Sequence, residues 1–209
     1  MLPEKEFKIK LPKKTWYQED MTSLDSNDYH HVLWKGKFEG IKKDYSFFDS
    51  LFEKVQYIEG KFLQTYFKEV RFEDCNFSNT DFEECSFHTV SFKNCKFVGS
   101  NFSSSYFHDV TFEECNFMYS NFSECKTKRV QINKSCFKEA RFFESTLEEV
   151  HLSNNDFSDS EIYRTPLRNL DFSTCKIEGF HSDLDSIRGM MIDPIGALEL
   201  VKFFDVKIK

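Results

Sequence analysis

The sequence predicts an all-β solenoid built from five-residue units, four to a coil. Three observations predict it. Every fifth residue from Phe47 to Ile177 is large and apolar, with the one exception of Thr127; nineteen of these 27 positions are Phe, and no insertion shifts the phase. The residue two before each large one is small, as in Val70, Cys75, Thr80, Cys85, Val90, Cys95, Ser100, Ser105 and Val110. Within that small column Val70, Val90, Val110, Val130 and Val150 recur twenty residues apart, as if stacked on one interior corner of a four-sided coil. A period of five fits neither the 3.6 of a helix nor the 2 of a simple strand. It marks a repeat architecture. One large and one small inward position per unit fill the interior, and three positions are left for solvent. The units make about seven coils, a rod on the order of 30 Å long at the usual strand spacing.

A unit such as Cys75-Asn76-Phe77-Ser78-Asn79 resembles that of the pentapeptide repeat family, and the resemblance covers about two thirds of the chain. It implies a right-handed quadrilateral β-helix. Both ends of such a rod need covers. Residues 1–45 lack the five-residue phase and read as an N-terminal cap. In it Phe7 to Leu11 alternates like a short strand, and Asp28 to Trp34 is rich in aromatic residues. Residues 46–180 are the β-helix. Residues 181–209 read as a C-terminal α-helical dimerisation module. Asp193-Pro194 is a helix start, with Asp as N-cap and Pro at the first helical position. The helix then carries Ile195, Leu198, Leu200, Val201, Phe203 and Phe204, too many apolar residues for one face, followed by Val206 and Ile208 in a short terminal strand. One side can cover the last coil; the other calls for a partner, most simply a second copy related by twofold symmetry.

This tail, Gly189 to Leu200 followed by Val206-Lys207-Ile208, is similar to the end of the quinolone-resistance (Qnr) pentapeptide proteins of Gram-positive bacteria. The resemblance implies a C-terminal homodimer shaped like B-DNA that engages DNA gyrase and topoisomerase IV and protects them from quinolones. Some Qnr proteins carry loops that interrupt the coil and are needed for protection. The unbroken phase here excludes such loops, so the resemblance is to the loop-less type.

Charge bears on DNA mimicry through its distribution. The net charge is −7, yet residues 69–124 alone carry ten acidic and three basic groups. The ten are Glu69, Glu73, Asp74, Asp81, Glu83, Glu84, Asp109, Glu113, Glu114 and Glu124. They occupy outward positions over fewer than three coils, at roughly one net charge per 2 Å, close to the ~1.7 Å of duplex DNA. Such a band suits a basic, DNA-binding groove on a protein; a protein that bound nucleic acid directly would be basic. It also suits a plain solvated wall.

Other chemistries find little footing. Adjacent carboxylates such as Glu83-Glu84 on a convex wall do not converge on a pocket. His88 and His108 share one side but supply too few ligands for a metal. Neither a phosphate-binding Gly loop nor a nucleophile motif is present. Six of the seven cysteines, Cys75, Cys85, Cys95, Cys115, Cys125 and Cys175, lie in the small inward column and read as reduced and structural; Cys136 faces outward. No cofactor, metal or membrane span is expected, and the lack of an apolar stretch in residues 1–20 predicts a cytoplasmic protein. The sequence therefore predicts a non-enzymatic, Qnr-like DNA mimic acting on gyrase or topoisomerase IV. The alternative is a rigid interaction or toxin-immunity module with another partner.

Overall fold

The computed structural model describes residues 27–204 and the backbone of Tyr17 and Gln18. The chain winds as a right-handed, four-sided β-solenoid of about eight turns. Successive coils pair in parallel at an offset of twenty residues: Ser86 lies beside Tyr106, Val90 beside Val110 and Lys93 beside Glu113, and the register continues to Lys126–Asn133 and Thr146–Ser153. We number the sides in chain order from residues 86–90 (first) through 91–95, 96–100 and 101–105 (fourth). On the first two sides the chain is extended, in the strands Ser86–Lys93, Tyr106–Glu113, Lys126–Asn133 and Thr146–Ser153. On the other two it makes tight turns in the middle coils, with Ser100 N donating to Phe97 O (3.0 Å) and Ser105 N to Phe102 O (3.1 Å), while the fourth side is extended at Lys61–Leu63, Arg141–Phe143 and Glu161–Tyr163.

Every corner from Asp44 to Asn169 sits in the left-handed region, with φ between 46° and 69°. Glycine fills only Gly99 among these; Glu, Lys, Arg and Tyr take the same conformation. Each non-glycine corner costs on the order of 1 kcal/mol. Packing offsets that cost. The large residues of successive coils stack face to face, as Phe97 does on Phe117 (4.9 Å between centroids, 3°), and meet their neighbours on adjacent sides edge to face, as Phe92 does Phe97 (5.4 Å, 81°). The small column satisfies the buried backbone. Ser105 Oγ donates to Phe82 O (2.7 Å) and accepts from Cys85 N (3.1 Å), bridging two coils within a dry interior.

The described part of the predicted cap is itself a coil. Tyr29 pairs with Phe47 and Trp34 with Phe52, an offset of eighteen; a bulge after Trp34 makes it nineteen at Gly36 and Val55, and twenty is reached at Ile41 and Lys61. Two sides here are one residue short, which hides the phase from a strict period of five. This shortened coil raises the expected seven turns to eight. Tyr17–Gln18 pairs on its outer edge with Val32 and Leu33; the predicted strand at Phe7 to Leu11 lies outside the described residues. Tyr57 replaces Phe in the large column and turns its hydroxyl to Gly40 O (2.5 Å) and Lys61 N (2.9 Å). Gly60 makes room for it, since a Cβ there would lie 2.2 Å from the ring.

At the C-terminal end, Asp193 caps Pro194–Val201 by accepting from Gly196 N (2.9 Å), as predicted, and a single 3-10 turn, Lys202–Phe204, follows. The helix is short. Gly196 is buried because the helix lies close on Ile192, whose Cδ1 would be 2.7 Å from an added Cβ. A four-residue helix, Leu184–Ile187, capped by Asp183, precedes it.

Candidate interaction surface

The ten acidic residues fall on three of the four sides, in different electrostatic settings. Glu69 and Asp109 are on the first side. Arg129, one coil on, holds Asp109 through two bonds (Nε–Oδ1 2.6 Å, Nη2–Oδ2 2.7 Å) and keeps its carboxyl below the usual range. Arg129 Nη2 also lies 2.7 Å from His108 Nε2, and His108 Nδ1 is 3.4 Å from Asp109 Oδ2, so the three side chains form one cluster. His88 packs against Tyr66, Tyr106 and His108, and burial, with His108 and Lys68 nearby, lowers its pKa.

Glu73, Asp74, Glu113 and Glu114 are on the second side, where cations interleave with them. Lys93 reaches Glu113 (3.5 Å), Lys134 reaches Glu114 (3.4 Å), and Asn94 donates to Asp74 (2.6 Å).

Asp81, Glu83, Glu84 and Glu124 are on the fourth side, and this side differs. On the three coils between those of Lys61 and Arg141 its outward positions are Asp81, Glu83, Glu84, Asn101, Ser103, Ser104, Asn121, Ser123 and Glu124, without a cation. Asp81 accepts from Asn101 Nδ2 (2.9 Å), and Asn101 in turn from Asn121 (3.0 Å), which fixes a polar ladder along the rod. Lys61 approaches Asp81 only to 3.9 Å. Four carboxylates over three coils amount to about one per 3–4 Å, similar to the ~3.4 Å phosphate spacing of a single DNA strand. The sequence placed these ten residues in one band; the coil separates them into a braced wall and one face whose three acidic or polar coils carry no cation of their own.

Of the residues expected to dimerise, Ile195 (78% exposed), Leu198 (52%) and Phe204 (61%) point outward, with Met191 and Leu184 exposed nearby. Leu200 and Phe203 turn the other way and pack on the core, and Val201 is half-buried. Val206 and Ile208 lie outside the described residues. The terminal segment thus has the two apolar faces that the sequence implied.

Inside the rod, Cys75, Cys85, Cys95, Cys115 and Cys125 are buried free thiols, while Cys136 and Cys175 are half-buried. Cys175 is more accessible than its column predicts because it lies in the last coil. Among the described residues no group of three or more His, Cys, Asp or Glu side chains is placed to hold a metal ion, and no helix is long and apolar enough to cross a membrane.

Sequence reasoning missed the tie between Arg129, Asp109 and His108, because it counted charge along the chain. Reading the sequence at an offset of twenty finds it, as it finds Glu144 with Arg164 (2.7 Å) and Arg141 with Glu161 (3.3 Å).

A four-sided rod with a stacked Phe interior and polar outer walls defines a class, the quadrilateral β-solenoids. The chain belongs to the pentapeptide repeat family: the family's pentapeptide repeat region matches residues 45–106, 85–152 and 105–181. No curated protein sequence matches it. Among solved structures it resembles a trypsin-treated form of QnrB1, a plasmid-mediated fluoroquinolone resistance protein, with a TM-score of 0.53 and 14% identity over 87% of this chain and 100% of that one. It also matches HetL, a pentapeptide repeat protein involved in heterocyst differentiation regulation from the cyanobacterium Nostoc, with a TM-score of 0.36 and 10% identity over 83% of this chain and 89% of that one. At these identities the likeness is one of fold.

Proposed function

We propose that this protein is a non-enzymatic DNA mimic that engages a type II topoisomerase, DNA gyrase or topoisomerase IV, in the manner of a Qnr protein, and dimerises through its C-terminal helix. The observation that carries the reading is the fourth side, where Asp81, Glu83, Glu84 and Glu124 stand without an interleaved cation on a rigid wall. A face of that kind offers a basic groove the field of a phosphate backbone while the rod holds its shape. The exposed Ile195, Leu198 and Phe204 support a twofold partner, which would double the length of the acidic face.

The test is gyrase supercoiling, with and without ciprofloxacin. Reversing Asp81, Glu83, Glu84 and Glu124 to Lys should abolish inhibition or protection, and the parent's effect should weaken steeply with salt. Reversing Glu148 and Glu149, outside the band, is the matched control and should do little. Equal activity of parent, fourth-side variant and control would refute mimicry by this face. A parent without effect on either topoisomerase would remove the Qnr-like reading altogether.

A second reading has its own support. Six acidic side chains of the band lie on the braced first and second sides, where Lys93, Lys134 and Arg129 tie coil to coil. Charge spent on internal ladders is what a rigid interaction or toxin-immunity module needs, whatever its partner. Loss of function on reversing Glu73, Asp74, Glu113 and Glu114, with the fourth side silent, would favour it.

A further inference from the structure

The fourth side does not end at Glu124. Its outward column runs through Glu83, Ser103 and Ser123, and on the next two coils it continues as Phe143 and Tyr163. The chain is extended there, and the two residues pair in register. Their rings stack at 5.3 Å between centroids and 29°. Phe143 is 36% exposed. One exposed apolar side chain is ordinary, but this pair is bracketed. On one flank Arg141 meets Glu161 (3.3 Å), and on the other Arg164 meets Glu144 (2.7 Å). Both ion pairs join the same two coils as the rings do, so each arginine faces a carboxylate and the aromatic pair sits between two ties.

Side-chain length gives this side relief. Glu83 and Glu84 project at one end, and Phe143 and Tyr163 at the other. Between them are Asn101, Ser103, Ser104, Asn121 and Ser123, all short, with the asparagines tied into the ladder below Asp81. Glu124 stands at the corner next to Phe143, its N–H on Phe143 O (2.7 Å). Glu83 and Phe143 are three coils apart, about 14 Å at the usual strand spacing. The short residues therefore form the floor of a saddle with carboxylates at both ends and the ring pair on one rim. An α-helix with its side chains is about 10–12 Å across. The major groove of DNA, which admits such a helix, is about 12 Å wide.

Resting on the reading of the fourth side as the face offered to a basic partner, we propose that this saddle receives an amphipathic helix of that partner. The helix lies parallel to the strands. Its basic side chains meet Glu83, Glu84 and Glu124, and an apolar side chain on its other edge packs on Phe143 and Tyr163. Charge draws the helix in and orients it. The ring pair adds an apolar anchor inside a polar surround, the arrangement that carries most of the energy in protein interfaces.

Two probes test the docking on the full chain. One is an amphipathic Leu–Lys peptide of about 18 residues, long enough to be helical, titrated into ¹⁵N-labelled protein; its control is the same peptide with a central proline. The other is DNA gyrase, with affinity measured against salt. The helical peptide should shift Ser103, Ser123, Phe143 and Tyr163, and the broken one should not. Phe143→Ser should weaken both probes by roughly tenfold or more, as truncating an interface anchor does. It should leave the salt dependence of gyrase binding unchanged, whereas reversing Glu83 and Glu84 should flatten it. Should Phe143→Ser fail to fold, Tyr163→Ser removes the other ring. Peptide shifts elsewhere on the rod, equal binding of helical and broken peptides, or full binding by both ring variants would overturn the docking. Gyrase binding lost on charge reversal but kept in the ring variants would overturn it while DNA mimicry stands. A parent that ignores gyrase removes the Qnr-like reading, and the peptide then decides the saddle by itself.

Discussion

Replacing Thr127 by Leu should stabilise the protein. Thr127 is the one polar residue in the large column, between Phe107 and Leu147, and with Ile132, Leu147 and Leu152 it lines an internal apolar cavity of about 50 Å³ behind the paired strands. Cavity cost scales at about 24 cal/mol per Å³, so about 50 Å³ corresponds to about 1.2 kcal/mol if filled completely. The hydroxyl gives up little, since its bond to Thr146 O is long at 3.4 Å. A leucine fills part of the space, so the gain should be about 0.5–1 kcal/mol, or a rise of about 1–4 °C in Tm for a chain of this size. Urea and thermal unfolding measure the sum. Because solenoid stability is built from local terms, hydrogen exchange is the sharper assay: the amides of Val130 and Val150 should slow while those of Val70 and Val90 stay unchanged. A Thr127→Leu protein that melts earlier, with faster exchange at Val130, would show that the space is already closed and that the cavity argument is wrong.

Phe97→Ala should cost roughly 3–5 kcal/mol, measured by the same unfolding curves, because the ring is stacked between Phe77 and Phe117 and its neighbours cannot collapse onto the hole. Stability should fall as pH rises from about 9 to 12. Burial pushes the Cys125 thiol from 9.0 to about 12 and the Tyr57 hydroxyl from 10.0 to about 12, and raises Cys85 and Cys95. Groups with raised folded pKa values contribute fully below their unfolded values and lose that contribution as pH climbs through the folded ones; a flat profile from pH 9 to 12 would contradict their burial. A thiol reagent under native conditions should label Cys136 and Cys175 first and reach Cys75, Cys95 and Cys115 only on unfolding, as mass spectrometry would show. Sedimentation should give a dimer of the 24.9 kDa chain at micromolar concentration, and Leu198→Glu should convert it to monomer with its Tm nearly unchanged.

The five-residue phase, the paired large and small columns and the valines twenty apart were enough to specify a four-sided coil, its interior and its unbroken length. They suffice because each unit buries the same two positions, so the pattern is a direct image of the core. Asp193-Pro194 likewise marked the terminal helix, since capping is a local matter of one carboxylate and the N–H groups it faces. Even the lapse at Thr127 falls where the interior is thin.

The tertiary structure decided everything that depends on which residues stack. Left-handed corners at Lys54, Glu59 and Arg129 have no cause in local propensity; the coil imposes them, because only packing between turns outweighs their strain. The shortened first coil escapes a strict period because two of its sides lack a residue, and only the shift in register from eighteen to twenty reveals it. Pro166 looks ordinary in the chain; only the winding shows that it takes the position at which Tyr66, Ser86, Tyr106, Lys126 and Thr146 donate their N–H to the coil before. The acidic band is the plainest case. Along the sequence its ten residues are one excess of charge, but Coulomb interactions follow distance, and winding the chain puts Arg129 against Asp109 and Lys134 against Glu114 while leaving Asp81, Glu83, Glu84 and Glu124 on a side without cations between them.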